Sequence, residues 1–258
     1  MSSTAAVDVH RADGIATVRI GQRQHANALG IRDWRVLASV FDDLATDLSV
    51  RAVIVAGHGD RTFSAGSDLR EWLGADPEVV EASFVAMENA LTALERIPVP
   101  TLARIRGDAV GAGCQLACAC DLRVITEDAR IGMPVARWGI LLPPMFAARL
   151  AVVAGPAVAM DLVLTGRLLD GTQAARLGLA TRAVPEDDLE DATAALVAAV
   201  TAQPLGALRA AKQAVRNTVE PVRTHMRDRA SGPAADFAVM QHNLGVFLRR
   251  LPGRASRL

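Results

Sequence analysis

The segment from Arg104 to Val124, RIRGDAVGAGCQLACACDLRV, constrains this chain more than any other. It reads as strand, glycine-rich bend, short helix, strand. Thr101 to Arg106 has strand character, and Gly107-Asp108 breaks it. Gly111-Ala112-Gly113 carries nothing larger than a methyl group, so its backbone can come close to another segment or to a ligand. The alanine-rich run from Cys114 to Cys120 suits a buried helix. The free N–H groups and positive dipole end of such a helix would face the bend and favour an oxygen carrying negative charge. Taken alone, the bend is equally an ordinary tight turn.

A second stretch of the same kind shifts that balance. Arg61-Thr-Phe-Ser-Ala-Gly-Ser-Asp-Leu69 follows the apolar strand Ala52 to Ala56 and again places small residues at a strand end. Two backbone donors converging on one oxygen require such a pair of bends. Together, FSAGSDL and GDAVGAGCQLACACD resemble the crotonase (enoyl-CoA hydratase/isomerase) superfamily. His25-Ala26-Asn27-Ala28-Leu29 resembles its early NAL turn, and Thr165 to Ala180 resembles a later AxxxGLV segment. Order and spacing agree over residues 7 to 220.

The resemblance implies an α/β fold, a spiral of ββα units, with an acyl-CoA core over residues 1–200. A C-terminal helical region, residues 201–258, would build a homotrimer or a hexamer. It further implies an acyl-CoA ligand whose thioester oxygen is held by the backbone N–H groups of Ser67 and Ala112. Gly111 and Gly113 flank the second donor. Coenzyme A would be part of the substrate, and no separate cofactor or metal is expected. Ala65 and Gly66 would lie beside the adenine and the Asn27-Ala28 turn near the pantetheine entrance. Arg61, with Gln24, would stand near the phosphates. Asp68 reads as a helix N-cap and Asp121 as a turn anchor.

Two positions depart from the pattern. Hydratases of the family use two glutamates, and here those positions hold Gln115 and Val135. Glutamine can orient a water but cannot take its proton at neutral pH, and valine does neither. One positioned acid or base is worth roughly 100- to 10,000-fold in rate, so ordinary hydration is not expected. Isomerases keeping one glutamate do not fit, nor do dehalogenases, whose aspartate would fall at Pro143. Arg137 is a candidate clamp for a carboxylate or a second carbonyl. Trp138 follows it after Val135, Glu71 and Trp72 follow Asp68, and His25 and His58 lie in loops near the expected entrance. Three readings remain: an enzyme using the two donors with an unconventional proton shuttle, a non-catalytic acyl-CoA-binding protein, and an oligomeric scaffold with a vestigial pocket.

Composition excludes other classes. Of the 258 residues 51% are apolar, and 28 basic side chains balance 28 acidic ones, so no charge excess suits nucleic acid or a membrane surface. No apolar run reaches transmembrane length and no signal-peptide pattern opens the chain, so a cytoplasmic protein is expected. Cys114, Cys118 and Cys120 share one apolar segment without a histidine, which suits buried core residues better than a metal site or disulfides.

Elsewhere, Val7–His10 and Ile15–Ile20 form a hairpin signal, and Ile31–Leu48 and the run opened by Pro77 show helical spacing. Strands alternating with helices indicate βαβ units and a largely parallel sheet. Helices are expected at residues 189–201, 205–218 and 234–248, punctuated by Pro204, Pro221 and a turn at Ser231-Gly232-Pro233.

Overall fold

Asp13 and Gly14 both have positive φ, 51° and 76°, and Ala12 pairs with Ile15 across them, as a two-residue hairpin turn requires. They join β1 (Val7–Ala12) to β2 (Ile15–Ile20). This computed structural model describes residues 6–228 and 232–250; Ser231 of the expected turn and the two chain ends of the expected ranges lie outside them.

Three repeats of one unit follow. A buried strand leads to a short strand in a second sheet and then to a helix. In order these are β3 (Ala52–Gly57), β4 (Thr62–Ser64) and α2 (Pro77–Arg96), α1 (Ile31–Thr46) having come before β3. Then come β5 (Thr101–Ile105), β6 (Asp108–Val110) and α3 (Ala112–Ala119). The third is β7 (Leu122–Thr126), β8 (Arg130–Gly132) and α4 (Pro144–Ala154). The chain continues through α5 (Pro156–Thr165), β9 (Leu169–Asp170), α6 (Gly171–Arg176), β10 (Arg182–Val184), α7 (Leu189–Thr201), α8 (Leu205–Asp228) and α9 (Phe237–Arg250).

The larger sheet has the order β1-β2-β3-β5-β7-β10 and is parallel except at β1–β2. The smaller has the order β4-β6-β8-β9 and is parallel except at β8–β9. This is the expected spiral of ββα units. The second sheet was not visible in the sequence, because strands of two or three residues leave no alternation to read.

Helix faces follow their apolar spacing. Trp34, Leu37, Phe41 and Leu44 are buried on α1, and Val80, Phe84, Met87, Leu91 and Leu94 on α2. The three cysteines are buried and free, and burial pushes the Cys120 thiol up. Asp121 anchors its turn as expected, accepting from Thr101 N–H at 2.8 Å and from Lys212 Nζ at 2.6 Å. Burial holds the Lys212 ammonium below its ordinary pKa, and a second bond to Val99 O at 2.9 Å ties α8 to the body.

Two helix bounds differ from expectation. Helix α3 starts at Ala112, two residues before Cys114, so the Gly-Ala-Gly bend is itself the helix N-terminus. Helix α8 runs on through Pro221 to Asp228 rather than ending near residue 218. Pro221 is exposed, and its missing N–H removes one intrahelical bond without removing a packed contact. Among the described residues no single helix is long and apolar enough to cross a membrane.

Helix α9 folds back over the loop at residues 135–142. Leu141 N–H donates to Ala234 O at 2.9 Å and Asp236 N–H to Gly139 O at 2.8 Å, while Met240 and Leu244 join the main apolar cluster. The missing bond at Pro221 gives a direct test of α8. Pro221→Ala restores an N–H on a solvent-facing position and is expected to stabilise the protein by about 1–3 kcal/mol, read as a higher urea midpoint.

Candidate functional site

The two small-residue bends meet backbone to backbone. Gly66 has φ 94°, and a Cβ on it would lie 2.7 Å from Val110 O and 3.0 Å from Ala112 N. A Cβ on Gly113 would lie well inside van der Waals contact of Ser64 O. Residues 64–66 and 110–113 therefore pack at a distance that only glycine at these positions allows.

Among the amides of the two bends that find no acceptor in the described residues, those of Ser67 and Ala112 belong to residues that line the cleft. Ala65 N–H donates to Ala26 O at 2.9 Å, Gly66 N–H to Ser64 Oγ at 3.0 Å and Asp68 N–H to Leu29 O at 2.9 Å. Leu29 N–H donates to Gly66 O at 2.8 Å. In this parallel bridge the neighbours of Ser67 face Leu29, so the N–H of Ser67 is directed to the opposite side. It has no acceptor among the described residues. On the second bend Gly111 N–H donates to Gly132 O at 2.9 Å. Ala112 opens α3, and its N–H has neither an intrahelical acceptor nor another among the described residues. Folded chains rarely leave such donors unpaired.

Ser67 and Ala112 line one cleft of about 520 Å³, together with Ala65, Val110, Gly111 and Val135. Leu69, Trp72, Phe84, Met87, Met133, Pro134, Trp138, Ile140, Leu142, Pro143 and Phe146 complete the wall. Of the three tryptophans and six phenylalanines in the chain, four stand here. Trp72 stacks on Phe84 at 5.2 Å, Phe84 meets Phe146 at 6.2 Å, and Phe247 of α9 closes edge-on against Trp138 at 4.8 Å. No lining residue carries a side chain that ionises near neutral pH, and Ser67 is the only one with a hydroxyl. The aromatic wall was largely missed from the sequence, because its members come from separate elements and share no local pattern.

Several expected site residues point elsewhere. Gln115 is fully buried and does not line the cleft. Its Nε2 donates to Phe146 O at 3.1 Å and contacts Met133 Sδ at 3.6 Å, while its Oε1 accepts from Arg149 at 3.1 Å. It has no group left to orient a water. Arg137 does not line the cleft and donates to Gly166 O at 2.7 Å, at the C-terminal end of α5. Asn27 is buried, and its Nδ2 holds His58 O at 3.0 Å and Thr62 O at 2.6 Å, which fixes the loop rather than opening an entrance. Glu71 accepts from Ile31 N–H at the start of α1, and His58 pairs with Asp8.

Ala28 and Gly66 lie behind the wall, and Arg61 is exposed on the surface. Asp68 caps the 3-10 turn at residues 69–71, as expected. Burial alone would raise its pKa, but hydrogen bonds from the Arg70 side chain and backbone outweigh that and hold the carboxyl below its ordinary range.

Comparison with known proteins gives the family and the fold. The chain matches the enoyl-CoA hydratase/isomerase family over residues 10–241. It is 33% identical over 213 residues to a probable enoyl-CoA hydratase of Mycobacterium bovis, covering 82% of this chain and 81% of that one. An enoyl-CoA hydratase/carnithine racemase structure from Magnetospirillum magneticum superposes with a TM-score of 0.81 at 32% identity, over 85% of this chain and 83% of that one. An enoyl-CoA hydratase/isomerase structure from Mycobacterium paratuberculosis shares the fold, with a TM-score of 0.84 at 22% identity over 97% of this chain and all of that one.

The contact between the bends sets a graded expectation for glycine replacement. Gly113→Ala and Gly66→Ala each force backbone apart and are expected to cost about 2–4 kcal/mol. Gly74→Ala, at a φ of 73° with no atom within 4 Å, is expected to cost only about 1 kcal/mol. Thermal and urea unfolding of the three variants measure this ordering.

Proposed function

The chain belongs to the enoyl-CoA hydratase/isomerase family, and on that premise we propose that its cleft holds an acyl-CoA thioester without hydrating it. The thioester oxygen lies between the N–H groups of Ser67 and Ala112, and the acyl group lies against Trp72, Phe84, Met87 and Phe146. In this reading Ala65, on the cleft wall, and the exposed Arg61 meet the coenzyme A end. One observation carries the reading: two unpaired amides share a cleft in which nothing ionises.

Hydration of an enoyl thioester must take a proton from water and deliver one to carbon. Each positioned proton carrier is worth roughly 100- to 10,000-fold, and the cleft offers none. The two amides can still stabilise charge on the oxygen, so carbonyl polarisation survives where proton transfer does not. The non-catalytic acyl-CoA-binding reading follows from that asymmetry. Apolar walls favour an acyl group free of charged or hydroxyl substituents, since such groups would be desolvated there without partners. A homotrimer or hexamer and a cytoplasmic location belong to the same proposal. Exposed Met160 and Leu164 on α5 support self-association, which sedimentation velocity measures.

Calorimetry with decanoyl-CoA is expected to show saturable binding with a negative heat-capacity change, as burial of an apolar chain requires. Loss of crotonyl-CoA absorbance should show no turnover above the uncatalysed rate. Turnover at a rate typical of enzymes would overturn the reading. Ala112→Pro removes one donor at a helix position that tolerates proline. It should leave the fold intact and weaken decanoyl-CoA binding by about tenfold or more. Affinity should also be flat from about pH 7 to 9, because no lining side chain titrates there.

A further inference from the structure

Behind the cleft wall lies a layer of charge centred on Arg149, which is 1% exposed. Its Nε donates to Glu95 Oε1 at 2.7 Å, and its Nη2 and Nη1 reach the two oxygens of Glu88 at 2.8 and 3.2 Å. Arg223 of α8 reaches Glu95 at 3.0 Å, so two guanidinium groups meet two carboxylates. The remaining Nη1 bond goes to Gln115 Oε1 at 3.1 Å. Gln115 passes the connection on through Nε2 to Phe146 O at 3.1 Å.

Three of the elements tied by this layer, α2, α3 and α4, present a wall residue to the cleft. Helix α2 carries Glu88 and Glu95 and also Phe84 and Met87. Helix α4 carries Arg149 and also Phe146, over whose ring the guanidinium sits at 5.9 Å. Helix α3 carries Gln115 one turn beyond Ala112, the residue whose free N–H opens the helix.

We infer that Gln115 and Arg149 are a positioning pair, which sets the distance between the amide-bearing end of α3 and the Phe146 wall of α4. The inference rests on the thioester reading of the cleft for its ligand but not for its geometry. The amide of glutamine is specifically suited to the task. Its oxygen accepts from a cation already matched by carboxylates, and its NH2 donates to a buried carbonyl. A glutamate at 115 would add a third carboxylate to the layer and replace the side-chain donor to Phe146 O with an oxygen that cannot donate, so it would act as a lock on Arg149 and not as a base.

The test separates charge balance from positioning. Gln115→Glu should lower the melting temperature. Adding Glu88→Gln restores the balance of charge but not the donor to Phe146 O. The double variant should therefore regain most of the melting temperature. It should still bind cinnamoyl-CoA about tenfold more weakly than the wild type and lose the red shift that carbonyl polarisation gives this chromophore. Without ligand, amide hydrogen exchange across residues 110–119 should be faster in the double variant. Wild-type affinity, red shift and exchange in the double variant would overturn the inference. If the wild type itself fails to bind cinnamoyl-CoA, the thioester reading falls, and the exchange rates alone decide the positioning pair: faster exchange supports it and unchanged exchange overturns it.

Discussion

Everything in the site depends on one contact, the backbone of residues 64–66 against that of residues 110–113. Side chains cannot bring two peptide groups this close, because any Cβ at Gly66 or Gly113 would occupy the space of the facing carbonyls. The contact has a consequence for hydrogen bonding. Each bend satisfies several of its amides locally, at Leu29, Ala26, Ser64 and Gly132, and keeps one unpaired donor, at Ser67 or Ala112, on a residue of the cleft wall. An amide held this way pays no reorganisation cost when a ligand oxygen arrives, which is why fixed backbone donors are effective.

The ββα repeat is what delivers the two bends to one place. Strands β3 and β5 are neighbours in the large sheet, and β4 and β6 are neighbours in the small one. The bends that follow β4 and β6 are therefore brought side by side, and glycine at residues 66 and 113 lets them close. The register of two short parallel strands thus does the work that a long-range side-chain contact does in other sites.

That division explains what could be read in advance. The helix faces, the hairpin and the buried strands obey periodicity, and the sequence displays them. The two bends were legible because close backbone approach leaves a trace in composition, a run of Gly, Ala and Ser. Side-chain direction leaves no such trace. Gln115 could be placed on α3, but its turn away from the cleft is decided by Arg149, 34 residues later. Arg137 and Asn27 likewise found backbone carbonyls at Gly166 and at His58 and Thr62. The small sheet escaped notice for a different reason, since its strands are shorter than the pattern that would reveal them.

The placement of charge follows from the same architecture. The cleft is neutral along its whole wall, while a layer behind it holds two guanidinium and two carboxylate groups in mutual contact. Burial by itself would lower the Arg149 pKa, yet Glu95 and Glu88 more than reverse this, so the guanidinium stays charged. A buried ion cluster of this kind adds little net stability over an apolar replacement of equal volume, because desolvation offsets attraction. Its value must then lie in direction: ion pairs and amide bonds fix angles and distances that apolar packing leaves loose. The neutral wall gains from being backed this way. With charge held behind Phe146 and Gln115, the wall facing the two free amides is apolar, and a donor that meets an oxygen with water excluded acts on it more strongly.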